Sequence, residues 1–134
     1  MREITEIIND VTASTNRSSS KVESLAKEIE FDPEGHQAIT RVLSLFESHP
    51  KHDFGMPGPL AHAIEAYYGN GYEEKLLESI DNNPTSLTLW LTNRIINAED
   101  HNKDRFLEAM QRASFNSELP EYIRDEATDF LSSH

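Results

Sequence analysis

The chain has 134 residues, no cysteine and a net charge of −12. This length fits one domain with its own core, and the lack of cysteine excludes disulfides and thiolate metal sites and fits a reducing compartment, the cytoplasm. Twenty-four acidic residues against twelve basic ones exclude direct binding to nucleic acid or to an anionic membrane surface, and favour a basic protein partner.

The charge is unevenly distributed. Residues 1–60 hold ten acidic and six basic residues, a net charge of −4, whereas residues 61–134 hold fourteen and six, a net charge of −8. An electrostatic docking face is therefore expected in the later part of the chain.

Apolar spacing predicts helices from the start of the chain. An amphipathic helix is expected over residues 2–13, and a polar, Ser-rich connector follows up to residue 20. A second helix is expected to stop at Phe31, where Asp32 is the expected N-cap of a third helix that has Pro33 in its first turn. The apolar stripe of the third helix is Ile39, Val42, Leu43 and Phe46.

The later helices follow the same spacing. Pro59 is expected to begin a helix, and a Gly69-Asn70-Gly71 turn separates it from a short one. Asn83 and Pro84 are expected to cap a central helix that is apolar around most of its circumference. Its expected inner side is Leu87, Trp90, Leu91, Ile95 and Ala98. Two further helices begin near residues 100–102 and 119.

The predicted fold class is all-α. About eight helices joined by short turns should form antiparallel hairpins, either as a short HEAT- or armadillo-like α-solenoid or as an irregular bundle. The expected organisation is a single domain, 1–134, in which residues 1–20 form a loosely attached helix and connector. No apolar run is long enough to cross a membrane, and the first residues do not resemble a signal peptide.

Candidate catalytic and metal-binding groups are few. His49, His52 and Asp53 lie close in sequence but lack the further ligands that a metal site needs. His62 and Glu65 have the spacing of an acid–base pair on a helix, and also that of two ordinary neighbours. No nucleophile elbow or phosphate-binding glycine pattern is present, so we expect no enzyme activity, no metal and no cofactor.

Carboxylates and tyrosines gather around the Gly-Asn-Gly turn. Tyr67 and Tyr68 are adjacent on a helix and point about 100° apart, so one is expected in the core and the other at the surface. The expected partner-binding residues are Tyr68, Tyr72, Glu73, Glu74, Glu78, Glu99, Asp100 and Asp104. The acidic C-terminal helix, with Asp125, Glu126 and Asp129, is an alternative face.

Residues 53–98 resemble a group of bacterial immunity proteins, small helical proteins encoded beside toxins of polymorphic-toxin and contact-dependent growth-inhibition systems. The residues that carry the resemblance are Phe54-Gly55-x-Pro57-Gly58-Pro59-Leu60-x-His62-x-Ile64-Glu65-x-Tyr67-Tyr68-Gly69-x-Gly71-Tyr72-Glu73-x-x-Leu76-x-Glu78-Ser79, then Pro84-Thr85 and Leu91-x-Asn93-Arg94-Ile95-Ile96-Asn97.

This resemblance implies a cytoplasmic immunity protein that binds the C-terminal domain of a cognate toxin in a 1:1 complex. Many such toxins are nucleases with basic substrate surfaces, which a strongly acidic protein is suited to cover. The alternatives are a helical-repeat adaptor or regulatory subunit for another basic protein, and a small hydrolase that uses His62 and Glu65 or a metal at His49 and His52.

Overall fold

The computed structural model describes residues 19–33, 35–48, 58–98 and 101–133. Seven α-helices and one 3₁₀-helix occupy these ranges, and no β-strand occurs within them. The predicted all-α fold class is therefore confirmed. The helix predicted over residues 2–13 and the loop that carries His49 and His52 lie outside the described residues.

The elements, in chain order, are α1 (Ser19–Phe31), the 3₁₀-helix η1 (Gly35–Ala38), α2 (Ile39–Ser48), α3 (Gly58–Glu65), α4 (Tyr72–Asn82), α5 (Ser86–Asn97), α6 (Lys103–Phe115) and α7 (Glu121–Leu131). The chain divides into two compact units, one up to Lys75 and one from Leu76 onward, so the boundary falls within α4. The single domain over residues 1–134 stays a prediction.

In the first unit, α1 packs mainly against α3, while η1 contacts both α1 and α2. Small side chains on α3, Ala61 and Ala63, are buried, which allows close packing of the helix. The large buried side chains of this unit include Ile29, Ile39, Val42, Leu43, Phe46, Leu60 and Ile64. The stripe predicted for the third helix is thus confirmed as core.

The start of the third helix differs from the prediction. Asp32 and Pro33 precede a 3₁₀ turn that begins at Gly35, and the α-helix follows that turn, so Asp32 does not cap an α-helix. The Gly35 amide donates to the Asp32 carbonyl over 2.9 Å. The Tyr67 hydroxyl and the Ile29 carbonyl lie directly against Gly35, so a side chain at this position would overlap them.

In the second unit, α5, α6 and α7 each pack against the other two. The prediction that the helix after Pro84 is buried on more than one side is confirmed, because Leu89 and Ile96 are buried along with three residues of its main stripe, Leu87, Leu91 and Ile95. Trp90 was expected on the inner side, but it is half-buried, and the Arg94 guanidinium carbon lies 5.0 Å from its ring centroid. Ala98 is exposed.

The cap of α5 also differs from the prediction. Thr85, rather than Asn83 or Pro84, is the N-cap, and its hydroxyl oxygen accepts from the Thr88 amide over 3.2 Å. In return, the Thr85 amide donates to the Thr88 hydroxyl over 2.8 Å. This reciprocal capping box satisfies backbone donors that would otherwise be buried without acceptors.

Candidate interaction surface

The Gly69-Asn70-Gly71 turn is built by its two glycines and by Glu73. Gly69 and Gly71 have φ values of 84° and 100°, a region that other residues rarely adopt. The Gly69 amide donates to Glu73 Oε1 over 2.7 Å, and Glu73 lies in the first turn of α4, where the helix dipole favours a carboxylate. Glu73 was predicted to bind a partner; in this structure it holds the turn.

The three tyrosines of the turn have different surroundings. Tyr67 is 9% exposed and Tyr68 is 39% exposed, so one lies in the core and the other at the surface, as predicted. Their predicted place on a helix is wrong, because α3 ends at Glu65 and both tyrosines lie in the turn that follows. Tyr72, a predicted partner-binding residue, is 1% exposed and belongs to the core. Of the predicted aromatic contacts, Tyr68 alone offers its ring to a partner in this conformation.

Tyr67 connects α3 to the end of α1. Its hydroxyl donates to the Ile29 carbonyl over 2.6 Å and lies 3.1 Å from the carbonyl oxygens of Glu30 and Asp32. The His36 ring meets the Tyr67 ring edge-on, with centroids 6.5 Å apart. Burial raises the pKa of Tyr67 above its usual value, and the charges of Asp32 and Glu30 raise it further.

The other predicted carboxylates on α4 and α6 are exposed. Glu74, Glu78 and Asp104 all lie at the surface, while Glu99 and Asp100 lie outside the described residues. Asp81, also on α4, is engaged within the chain. Its carboxylate oxygens accept from the Arg112 guanidinium on α6 over 2.9 Å and 3.2 Å.

A row of carboxylates runs along α7. Glu121, Asp125 and Asp129 are all exposed and are spaced four residues apart, which places them on one face of the helix. No hydrogen bond or ion pair engages these three carboxylates within the described part of the chain. We call these three residues the α7 carboxylate row. Tyr122, beside the row, is 37% exposed.

Glu126 differs from the row although it is on the same helix. It is half-buried, and its Oε2 accepts a hydrogen bond from the Ser86 hydroxyl over 2.6 Å, which joins α7 to the start of α5. The sequence predicted Asp125, Glu126 and Asp129 as an alternative acidic face. Asp125 and Asp129 are exposed, whereas Glu126 links two helices. Sequence reasoning missed Glu121, although its spacing of four from Asp125 was readable.

The two residues of the candidate acid–base pair, His62 and Glu65, do not form a hydrogen bond with each other. His62 Nδ1 and Glu65 Oε1 are 3.9 Å apart, beyond hydrogen-bonding distance, and the His62 side chain is largely exposed. Among the described residues, no group of three or more His, Asp or Glu side chains is placed to hold a metal ion.

None of the described helices combines the length and the hydropathy that passage through a bilayer requires. Comparison with protein-family models, with curated proteins and with solved structures finds no match to this chain.

Proposed function

We propose that this protein is a cytoplasmic immunity protein that binds the C-terminal domain of a cognate toxin in a 1:1 complex. The toxin is a protein with a basic substrate surface, such as a nuclease, and the complex covers that surface. The α7 carboxylate row is the observation that carries the proposal, and the resemblance over residues 53–98 supports it.

The row is suited to a basic partner because its carboxylates are exposed and no other described residue engages them. Residues four apart are separated by about 6 Å along a helix axis, so the row presents regularly spaced negative charges to lysine and arginine side chains. A basic surface that binds phosphates would meet a comparable series of anions on this helix. Complementary charge of this kind speeds association and selects the partner.

The local electrostatics of α7 give further support. Like charges four residues apart destabilise a helix by roughly 0.2–0.5 kcal/mol per pair, and the row contains two such pairs. Asp129 lies in the last turn, where the helix dipole disfavours a carboxylate and where no basic residue compensates. Groups that lower stability in this way are common where binding requires them.

We assign the toxin contact to the α7 carboxylate row, and the exposed residues among those predicted from the sequence are the alternative contact. Of the partner-binding residues predicted from the sequence, Tyr68, Glu74, Glu78 and Asp104 are each exposed in this structure. Charge reversal separates the two assignments, since a lysine at the true contact repels the toxin and a lysine elsewhere only reduces long-range attraction.

The test is coexpression with the C-terminal domain of the toxin encoded next to this gene, with survival and affinity as readouts. The wild-type protein should protect cells and bind the domain. Asp125→Lys together with Asp129→Lys should abolish both, while Glu108→Lys, an exposed carboxylate on α6, should reduce affinity little. If the wild-type chain neither protects nor binds, the proposal is wrong; binding without protection would favour the adaptor function.

A further inference from the structure

Asn70 and Gly71 form an exposed pair in the turn between α3 and α4. The Asn70 amide donates to the Tyr67 carbonyl over 2.8 Å, which fixes the backbone of Asn70. Its side chain makes no hydrogen bond in the described part of the chain. The carboxamide of Asn70 is therefore free to turn toward the amide nitrogen of Gly71.

We propose that Asn70 is a site of spontaneous deamidation through a cyclic imide formed with Gly71. A base, hydroxide in the simplest case, removes the proton of the Gly71 amide, and the nitrogen attacks Cγ of Asn70. The bond from Cγ to the side-chain nitrogen breaks, and that nitrogen takes up a proton and leaves as ammonia. Water then opens the five-membered ring at either carbonyl, so the net change is water consumed and ammonia released.

The two directions of ring opening give different chains. Hydrolysis at the side-chain carbonyl gives an ordinary aspartate with a normal backbone. Hydrolysis at the main-chain carbonyl gives isoaspartate, in which the backbone runs through the Cβ of the former asparagine. Both products carry one more negative charge than the original chain.

Gly71 makes the nitrogen accessible. Glycine has no Cβ to obstruct attack on the preceding side chain, and its φ of 100° lies in the region that favours glycine. Apart from its chain neighbours, no heavy atom of the described residues lies within 4 Å of the position that a Cβ would take at Gly71. Water and base can therefore reach the reacting atoms.

Two other asparagines in loops lack one of these requirements. Asn83 is exposed but precedes Pro84, whose nitrogen has no proton to lose. Asn116 is exposed and precedes the small residue Ser117, but its side-chain oxygen accepts from the Glu118 amide over 3.0 Å. That bond holds the carboxamide of Asn116 away from the next nitrogen, which makes Asn116 a matched internal control.

The remaining described asparagines are buried or lie within helices. Asn102 is buried, and the others lie within helices, where the following residues keep helical geometry: Asn82, Asn93 and Asn97. Asn70 is the described asparagine that combines exposure, an unengaged carboxamide and a following glycine.

Deamidation changes the exposed acidic turn. The new carboxylate lies three residues before Glu73 and four before Glu74, which increases negative charge next to the first turn of α4. Isoaspartate also adds one backbone atom between Gly69 and Glu73, the two residues that a hydrogen bond joins across the turn. The anionic character of the turn thus increases with the age of the protein.

The test incubates the full folded chain in mildly alkaline buffer made with heavy-oxygen water, followed by peptide mapping with mass spectrometry. Heavy oxygen marks the acid formed during incubation. We expect Asn70 to convert several-fold faster than Asn116, with isoaspartate as a product, and the aged protein to coelute on anion exchange with Asn70→Asp.

In the Asn70→Gln variant the corresponding ring is larger and forms more slowly, so the charge change should be absent over the same period. Conversion of Asn70 no faster than that of Asn116, or an equal charge change in Asn70→Gln, would overturn the proposal. None of these readouts depends on a toxin partner.

Discussion

The Tyr67 hydroxyl donates a hydrogen bond to the Ile29 carbonyl oxygen, 2.6 Å away and 38 positions earlier in the chain. The last carbonyls of any α-helix have no partner within the helix. Because the carbonyl oxygens of Glu30 and Asp32 also lie 3.1 Å from this hydroxyl, Tyr67 closes the end of α1 from the turn that follows α3.

Removing this hydroxyl should destabilise the protein. In Tyr67→Phe, the buried Ile29 carbonyl loses its donor, and we expect the free energy of unfolding to fall by about 1–3 kcal/mol. Urea denaturation measures the change. Tyr68→Phe is the matched control, because Tyr68 is more exposed, and its effect should stay within about 0.5 kcal/mol. Equal effects of the two variants would contradict this role.

The raised pKa of Tyr67 predicts a loss of stability in alkali. The folded state keeps the Tyr67 proton to higher pH than the unfolded chain, whose tyrosines titrate near 10.0. The stabilising contribution is complete below that pH and decreases as pH rises from there through the folded pKa. Denaturation midpoints should fall over this range, and more steeply for the wild-type chain than for Tyr67→Phe.

Gly35 should tolerate no side chain. A Cβ at this position would overlap the Tyr67 hydroxyl and the Ile29 carbonyl, so we expect Gly35→Ala to lower the free energy of unfolding by roughly 1–3 kcal/mol, the range for overpacking. In the Tyr67→Phe background the loss should be smaller, since part of the overlap is gone. Simple additivity in this double-mutant cycle would show that the two positions are not in contact.

The α7 carboxylate row should lower stability. Replacing Asp129 by asparagine removes a charge from the last turn of α7 and should raise the free energy of unfolding by about 0.3–1 kcal/mol. Asp104→Asn is the control, because Asp104 lies in the first turn of α6, where the same change should lower stability. Changes of the same sign in both variants would argue against the dipole explanation.

Much of the fold follows from local patterns in the sequence. The apolar spacing predicted the core stripe of α2, and it predicted that Leu89 and Ile96 add a second apolar face to α5, because side chains seven residues apart share one side of a helix. The two glycines of the turn were likewise predictable, since a tight turn needs positive φ.

Contacts between distant residues were not predictable in this way. The third helix begins with a 3₁₀ turn that lies against Tyr67, more than thirty positions away, and the α-helical start predicted from Asp32 and Pro33 is wrong. Similarly, Trp90 has the spacing of a core residue, but the packing of its neighbours leaves it half-exposed.

The candidate surface was likewise predictable in its local pattern but not in its hydrogen bonds. The spacing of Glu121, Asp125 and Asp129 is written in the sequence, as is the acidity of the turn. The sequence does not show which carboxylates are engaged in hydrogen bonds within the fold. Glu73 accepts from the Gly69 amide, and Glu126 accepts from the Ser86 hydroxyl. Those bonds separate structural acids from the acids available to a partner.

The most direct test of the proposed function is the rate of association with the cognate toxin domain, measured by stopped flow at increasing salt. We predict fast association that slows steeply as salt rises, because salt screens the attraction between opposite charges. Asp125→Asn together with Asp129→Asn should reduce both the rate at low salt and its dependence on salt, whereas Glu108→Gln should leave them nearly unchanged. An association rate that is independent of salt, or equally affected by the two sets of substitutions, would contradict the assignment of the α7 carboxylate row.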